Sequence, residues 1–76
     1  MINEHGNVVL TVDLPSAGLV AGDVGVVVHA YESGKAYEVE FITLDGNTVA
    51  VVTLESDKIR AIRAREIPHV REVFAA

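Results

Sequence analysis

The sequence has no cysteine, no tryptophan, two prolines and few cations, six lysines and arginines standing against eleven aspartates and glutamates. Without cysteine there are no disulfides, so 76 residues must fold on a hydrophobic core alone, near the lower end of sizes that manage without staples. Aromatics make up 5% of the chain, which leaves valine, leucine, isoleucine and alanine to fill that core and favours strands. No apolar run approaches the roughly 18 residues of a membrane span, and no basic segment leads into an apolar stretch as in a secretory signal. One soluble cytoplasmic domain is expected, and the lack of cysteine agrees with that. The shortage of cations counts against general nucleic-acid binding, because an acidic surface repels phosphate backbones.

What the chain does have is β-branched residues in alternation. Half of it is hydrophobic, and the richest stretch, residues 21–41, reads as a hairpin: a valine run over residues 24–28, a polar turn Glu32-Ser33-Gly34-Lys35, and a return over residues 36–41. Tyr37, Val39 and Phe41 alternate there with Glu38 and Glu40, so one side is core and the other wet. Before the hairpin, residues 8–12 form a first strand with Val8, Leu10 and Val12 on one face. The long excursion over residues 13–23 is broken by Pro15, Gly18 and Gly22, and its Leu14 and Leu19 predict that it folds back over one barrel end. Asp13 and Asp23 flank it as turn caps that accept backbone N–H bonds. After the hairpin, Asp45-Gly46-Asn47 signals a tight turn, residues 48–54 a fourth strand, residues 55–58 one helical or 3₁₀ turn, and residues 59–62 a short closing strand.

Two strands are apolar on both faces. On the second, Val24, Val26, Val28 and Ala30 oppose Val27, His29 and Tyr31, and on the fourth, Val49 and Val51 oppose Ala50, Val52 and Leu54. A small barrel has one inside, so the outward set needs a cover. From Arg63 onward, Ile67, Val70, Val73 and Phe74 recur at helical spacing, with Pro68 suited to a first turn, which predicts a short amphipathic helix. Residues 1–62 are thus the barrel and residues 63–76 the tail, which would cap the barrel, cover its own valines or pack on a second copy in a homo-oligomer. Charge divides the same way: residues 1–57 carry nine carboxylates against Lys35, a balance of −8, whereas Lys58, Arg60, Arg63, Arg65 and Arg71 oppose Glu66 and Glu72 in the rest, a balance of +3.

No catalytic, metal or cofactor pattern emerges. His5, His29 and His69 are scattered, without ligand partners at useful spacing, and no nucleophile and base can be paired. His29 falls on the Val27 face as a partly buried or interface histidine. The Ala21-Gly22-Asp23-Val24-Gly25 run leads into a strand, where a phosphate cradle would have to lead into a helix.

With the strands placed, residues 19–54 resemble a family of small bacterial domains catalogued as of unknown function, with the pattern GL-x-x-GDVG-x-VV-x-x-Y, AYEVEF and DG-x-T-x-AVVTL. Here these are Gly18-Leu19, Gly22-Asp23-Val24-Gly25, Val27-Val28 and Tyr31, then residues 36–41, then Asp45-Gly46, Thr48 and residues 50–54. The resemblance implies an all-β, five-stranded SH3-like barrel, no catalytic residues, and an antitoxin-like or accessory role beside a toxin-like protein. The glycine-aspartate turn before a β-branched strand is also similar to the KOW motif of ribosomal and transcription proteins, although those barrels are basic around their loops and this one is acidic. The expected activity is therefore non-catalytic protein binding, with a nucleic-acid-binding barrel as the alternative. The partner is expected to be a basic or toxin-like protein, and no cofactor is called for. The residues expected to meet the partner are Arg60, Arg63, Arg65, Ile67, Val70, Arg71 and Phe74 of the basic end, with Glu38 and Glu40 of the acidic body.

Overall fold

The structure, a computed structural model, describes residues 2–73. It is all-β: β1 (Asn7–Leu10), β2 (Val24–Ala30), β3 (Ala36–Ile42), β4 (Thr48–Glu55) and β5 (Ile59–Ala61), with 3₁₀ turns at Pro15–Ala17 and Ser56–Lys58. The strands form one antiparallel sheet in the order β4-β3-β2-β1-β5. Inward side chains from all five strands converge on a single core of Val8, Leu10, Leu19, Val27, Tyr37, Val39, Phe41, Leu54 and Ile59, so the sheet wraps into a barrel. Its seam stays open: β4 and β5 are the two ends of the sheet and share no ladder. The Ser56–Lys58 turn bridges them instead, with the Ser56 N–H donating to the Lys35 carbonyl and the Thr11 N–H to the Lys58 carbonyl, each at 2.8 Å.

The excursion after β1 closes one end as expected. Leu14 and Leu19 bridge across the Pro15–Ala17 turn, Leu19 is buried, and Leu14 and Ala17 pack on the core. Both aspartates cap it: Asp13 accepts the Ala21 N–H at 2.8 Å and Asp23 the Val20 N–H at 2.9 Å.

The doubly apolar strands are explained by irregularities that alternation alone does not reveal. In β2, Val27 pairs with Val39 but His29 pairs with Glu38, leaving Val28 as an extra residue. The bulge exchanges the faces, so Ala30 packs inward beside Tyr37 while His29 turns out with Tyr31, their rings meeting edge to face at 4.6 Å. The expectation that His29 shares the Val27 face is thereby corrected. In β4, Phe41 pairs with Ala50 and Ile42 with Thr48, so Val49 is extra; it packs on the core, whereas Val51 stays outside.

The expected tail helix does not form among the described residues. Residues 63–73 run without regular structure apart from a turn at Ala64 and Arg65. Pro68 disfavours the helical region for Ile67 and supplies no N–H, and so short a helix has too few internal bonds to persist unless its face is buried. Phe74, the last residue of that predicted stripe, lies outside the described residues.

Gly25 of β2 is buried and lies against β3. A Cβ there would stand 2.6 Å from Val39 Cγ1, 2.9 Å from Phe41 Cε1 and 3.0 Å from the Glu40 carbonyl oxygen. Gly25→Ala is expected to destabilise the domain by about 1–3 kcal/mol through overpacking. The readout is a lower urea midpoint at unchanged slope.

Candidate interaction surface

Strand pairing arranges the outer face in rows. Val26, Glu40 and Val51 lie side by side across β2, β3 and β4, and His29, Glu38 and Thr53 form the next row. The carboxylates are held in place: the Thr48 hydroxyl donates to Glu40 at 2.6 Å and the Thr53 hydroxyl to Glu38 at 3.3 Å. Around them stand apolar side chains left in solvent, with Ile42 and Val24 partly exposed and Val51 53% exposed. Leu44, in the turn after β3, is 97% exposed. That turn is tied by the Thr43 hydroxyl, which donates to Asp45, and by the Thr43 N–H, which donates to the Asn47 carbonyl at 2.8 Å. Hydrogen bonds from Thr43 first and then Asn47 hold the Asp45 carboxyl below the usual range.

The basic end of the chain is folded back on its own barrel as an extended strap with two anchors. At the first, Arg60 of β5 donates twice to Glu66, at 2.9 and 2.6 Å, and the Arg63 N–H donates to the same carboxylate at 2.7 Å. Arg60, and then the Arg63 N–H, lower the Glu66 carboxyl to about 2. At the second, Arg71 donates from Nε and Nη2 to the two oxygens of Asp23, each at 2.7 Å, and from Nη2 to the Gly18 carbonyl at 2.9 Å. The Asp23 carboxyl is held below its ordinary value, chiefly by Arg71 and with help from the Val20 N–H, against partial desolvation. Between the anchors a space of about 760 Å³ opens between strap and sheet, bordered by Val24, Val26, Ile42 and Ile62 on the barrel and by residues 68–73 on the strap.

The residues expected to meet a partner therefore divide. Arg60 and Arg71 have their guanidinium groups committed within the chain. Arg63 contributes its backbone N–H to the first anchor, and Arg65 is exposed at the turn. Ile67 and Val70 point into solvent, 91% and 72% exposed. Glu38 and Glu40 sit on the sheet, where Glu40 borders the same space as Val70 and Arg71 of the strap, and Phe74 lies outside the described residues. Asp23 is a turn cap, as its place in the sequence suggests, but it is also the strap's anchor. Its partner in that second role lies 48 positions away, and no local pattern signals such a pair.

Among the described residues no group of three or more histidines, cysteines and acids is placed to hold a metal ion, and no buried side-chain nitrogen or oxygen lacks a partner. Among the described residues no helix is long and apolar enough to cross a membrane. A family model described as a domain of unknown function, DUF4926, matches residues 4–61, a span that ends with β5 and leaves the strap beyond it. No curated protein and no solved structure matches the chain.

Arg71→Ala is expected to release the strap while leaving the barrel folded, since a solvent-screened ion pair adds little to its stability. Trypsin cleavage after Arg65 should become several-fold faster, with the thermal midpoint nearly unchanged. Because the folded pKa of Asp23 is lowered, the contribution of this clasp is complete above the unfolded value of about 4 and is lost as pH falls through the still lower folded value. Amide exchange over residues 67–73 should accordingly be flat from pH 7 to pH 5, after correction for intrinsic rates, and rise only in stronger acid.

Proposed function

The chain belongs to the DUF4926 family of domains of unknown function, and from the geometry of its outer face we propose that it is a non-catalytic protein-interaction module. Its partner is a protein that presents basic side chains around an apolar contact. In its finer form the proposal is an antitoxin-like or accessory domain that serves a toxin-like protein.

The observation that carries this reading is the β3–β4 side of the sheet, where Ile42, Leu44 and Val51 stand exposed beside Glu38, Glu40 and Asp45, the strap reaching only the near border of this face. An exposed apolar patch among charges of one sign is a surface that gains both burial and charge complementarity when a matching partner arrives. The internal ion pairs of Arg60 and Arg71 strengthen the reading, since two of the cations that could offset the acidic body are spent on the strap. The same pairs weigh against the KOW-like nucleic-acid alternative. So does the burial of Tyr37 and Phe41, which are core residues and offer no stacking platform.

The test compares partner retention by the wild-type chain and by a Glu38→Lys/Glu40→Lys variant, at low and at high salt. A protein kept by the wild type at low salt, weakened by salt and lost to the double variant is the expected result. Equal retention by both chains, or retention of nucleic acid instead, overturns the proposal.

A further inference from the structure

We propose that β4 is a docking edge for a second copy of this chain, and that the two copies pair antiparallel about a two-fold axis at Val51. This concerns the rim of the sheet and stands apart from the partner surface proposed above.

The two ends of the sheet are treated very differently. β5 is three residues long, carries Arg60, and is followed at once by the anchored turn of the strap. Those are the usual devices that stop an edge from recruiting another strand. β4 is eight residues long, Thr48–Glu55, and among the described residues has one neighbour, β3. It contains no proline, lysine or arginine, and its sequence, Thr-Val-Ala-Val-Val-Thr-Leu-Glu, is rich in strand formers. The open seam of the barrel leaves its outer row of N–H and C=O groups facing away from the sheet.

A copy of β4 fits the middle of that row because residues 50–52 are self-complementary about Val51; beyond them the Val49 bulge sets Val49 opposite Thr53 and Thr48 opposite Leu54, inner against outer, so the matched contact is centred on Val51. In this register Val51 faces the same residue of its partner on the outer side, and Ala50 meets Val52 on the inner side. Antiparallel neighbours share a face, and this assignment keeps the two inner residues together and the two outer ones together. Val51 is the most exposed of the large apolar strand residues, so its pairing removes the most conspicuous surface of the strand. No carboxylate lies directly opposite another: Glu55 falls at the far end of the pairing, beyond the partner's Thr48. Glu40 of each copy lies one strand in from the seam, already bound to its own Thr48. Three strand spacings separate the two Glu40 residues, roughly 14 Å, which exceeds the screening length of about 8 Å at physiological salt. Two-fold closure of like on like also terminates the assembly as a dimer, because each copy uses up its one long edge.

The charge balance predicts the sign of the salt effect. Each copy carries a net charge of −5, so added salt should tighten self-association, whereas it should weaken capture of a basic partner.

The mass of the wild-type chain should rise from 8.1 kDa towards twice that value as concentration increases from micromolar to millimolar, more readily at high salt. The chain has no cysteine of its own, so Val51→Cys should oxidise cleanly to a covalent dimer, while Thr53→Cys, on the same face but out of register, should not. Val51→Lys and Val51→Asp should each be monomeric and folded, since the side chain lies outside the core, and should recover a dimer when mixed. A wild-type mass of 8.1 kDa at millimolar concentration in both low and high salt overturns the proposal. So does cross-linking of Thr53→Cys as fast as Val51→Cys, or a mixture of the two charge variants that stays monomeric.

Discussion

A sheet wrapped around one cluster of buried side chains has one interior, and strands as apolar as β2 and β4 can serve it only if inserted residues decide which valines face in. Val28 and Val49 are those residues. Each stands in its strand without a cross-strand partner, and each shifts the inward–outward phase of its neighbours along the strand. Because of Val28, Ala30 joins Tyr37 inside and His29 goes to solvent. Because of Val49, Thr48 returns to the outer face, where its hydroxyl secures Glu40. The core, the acidic rows and the exposed valines are all consequences of those two positions. Bulges also sharpen the bend of a strand, which is what a wall of five short strands needs in order to curl.

The outer face is more apolar than a solvated sheet ordinarily shows, and the chain covers it only in part. The strap crosses from the end of β5 to the turn before β2, held by two bidentate arginine pairs; its own Ile67 is left in solvent, and Val70 borders the space beneath it while staying largely exposed. It works as a tether more than as a lid. The arginines that hold it are no longer available to a partner, so the acidic character of the β3–β4 side dominates what an approaching protein meets. An acidic, partly apolar face beside a free strand edge is suited to two kinds of contact, a basic partner on the face and a like strand on the rim.

Much of this is legible in the residues alone. The five strands, the two short turns around residues 45–47 and 56–58, the capping aspartates and the loop closing one end come from local rules: alternation of apolar residues, Asp-Gly at a hairpin, and side-chain oxygens beside free N–H groups. Membership of the family is likewise written in short runs of residues within β2, β3 and β4. The tail departs from its pattern for a physical reason. Its apolar residues recur at helical spacing, but a helix of that length needs a face to bury, and here Pro68 and the commitments of Glu66 and Arg71 favour an extended path. His29 escapes the face that alternation assigns it because strict alternation has no means of counting an extra residue.

By itself the sequence determined the strand content, the turns, the acidic body and the surplus of valine, since all of these depend on a residue and its near neighbours. Which valines are buried, where the tail goes and which carboxylates are engaged were decided only by the tertiary structure. Bulges are defined by what lies opposite on another strand, and the Arg71–Asp23 clasp joins residues 48 positions apart, so neither exists until the sheet has closed around its core.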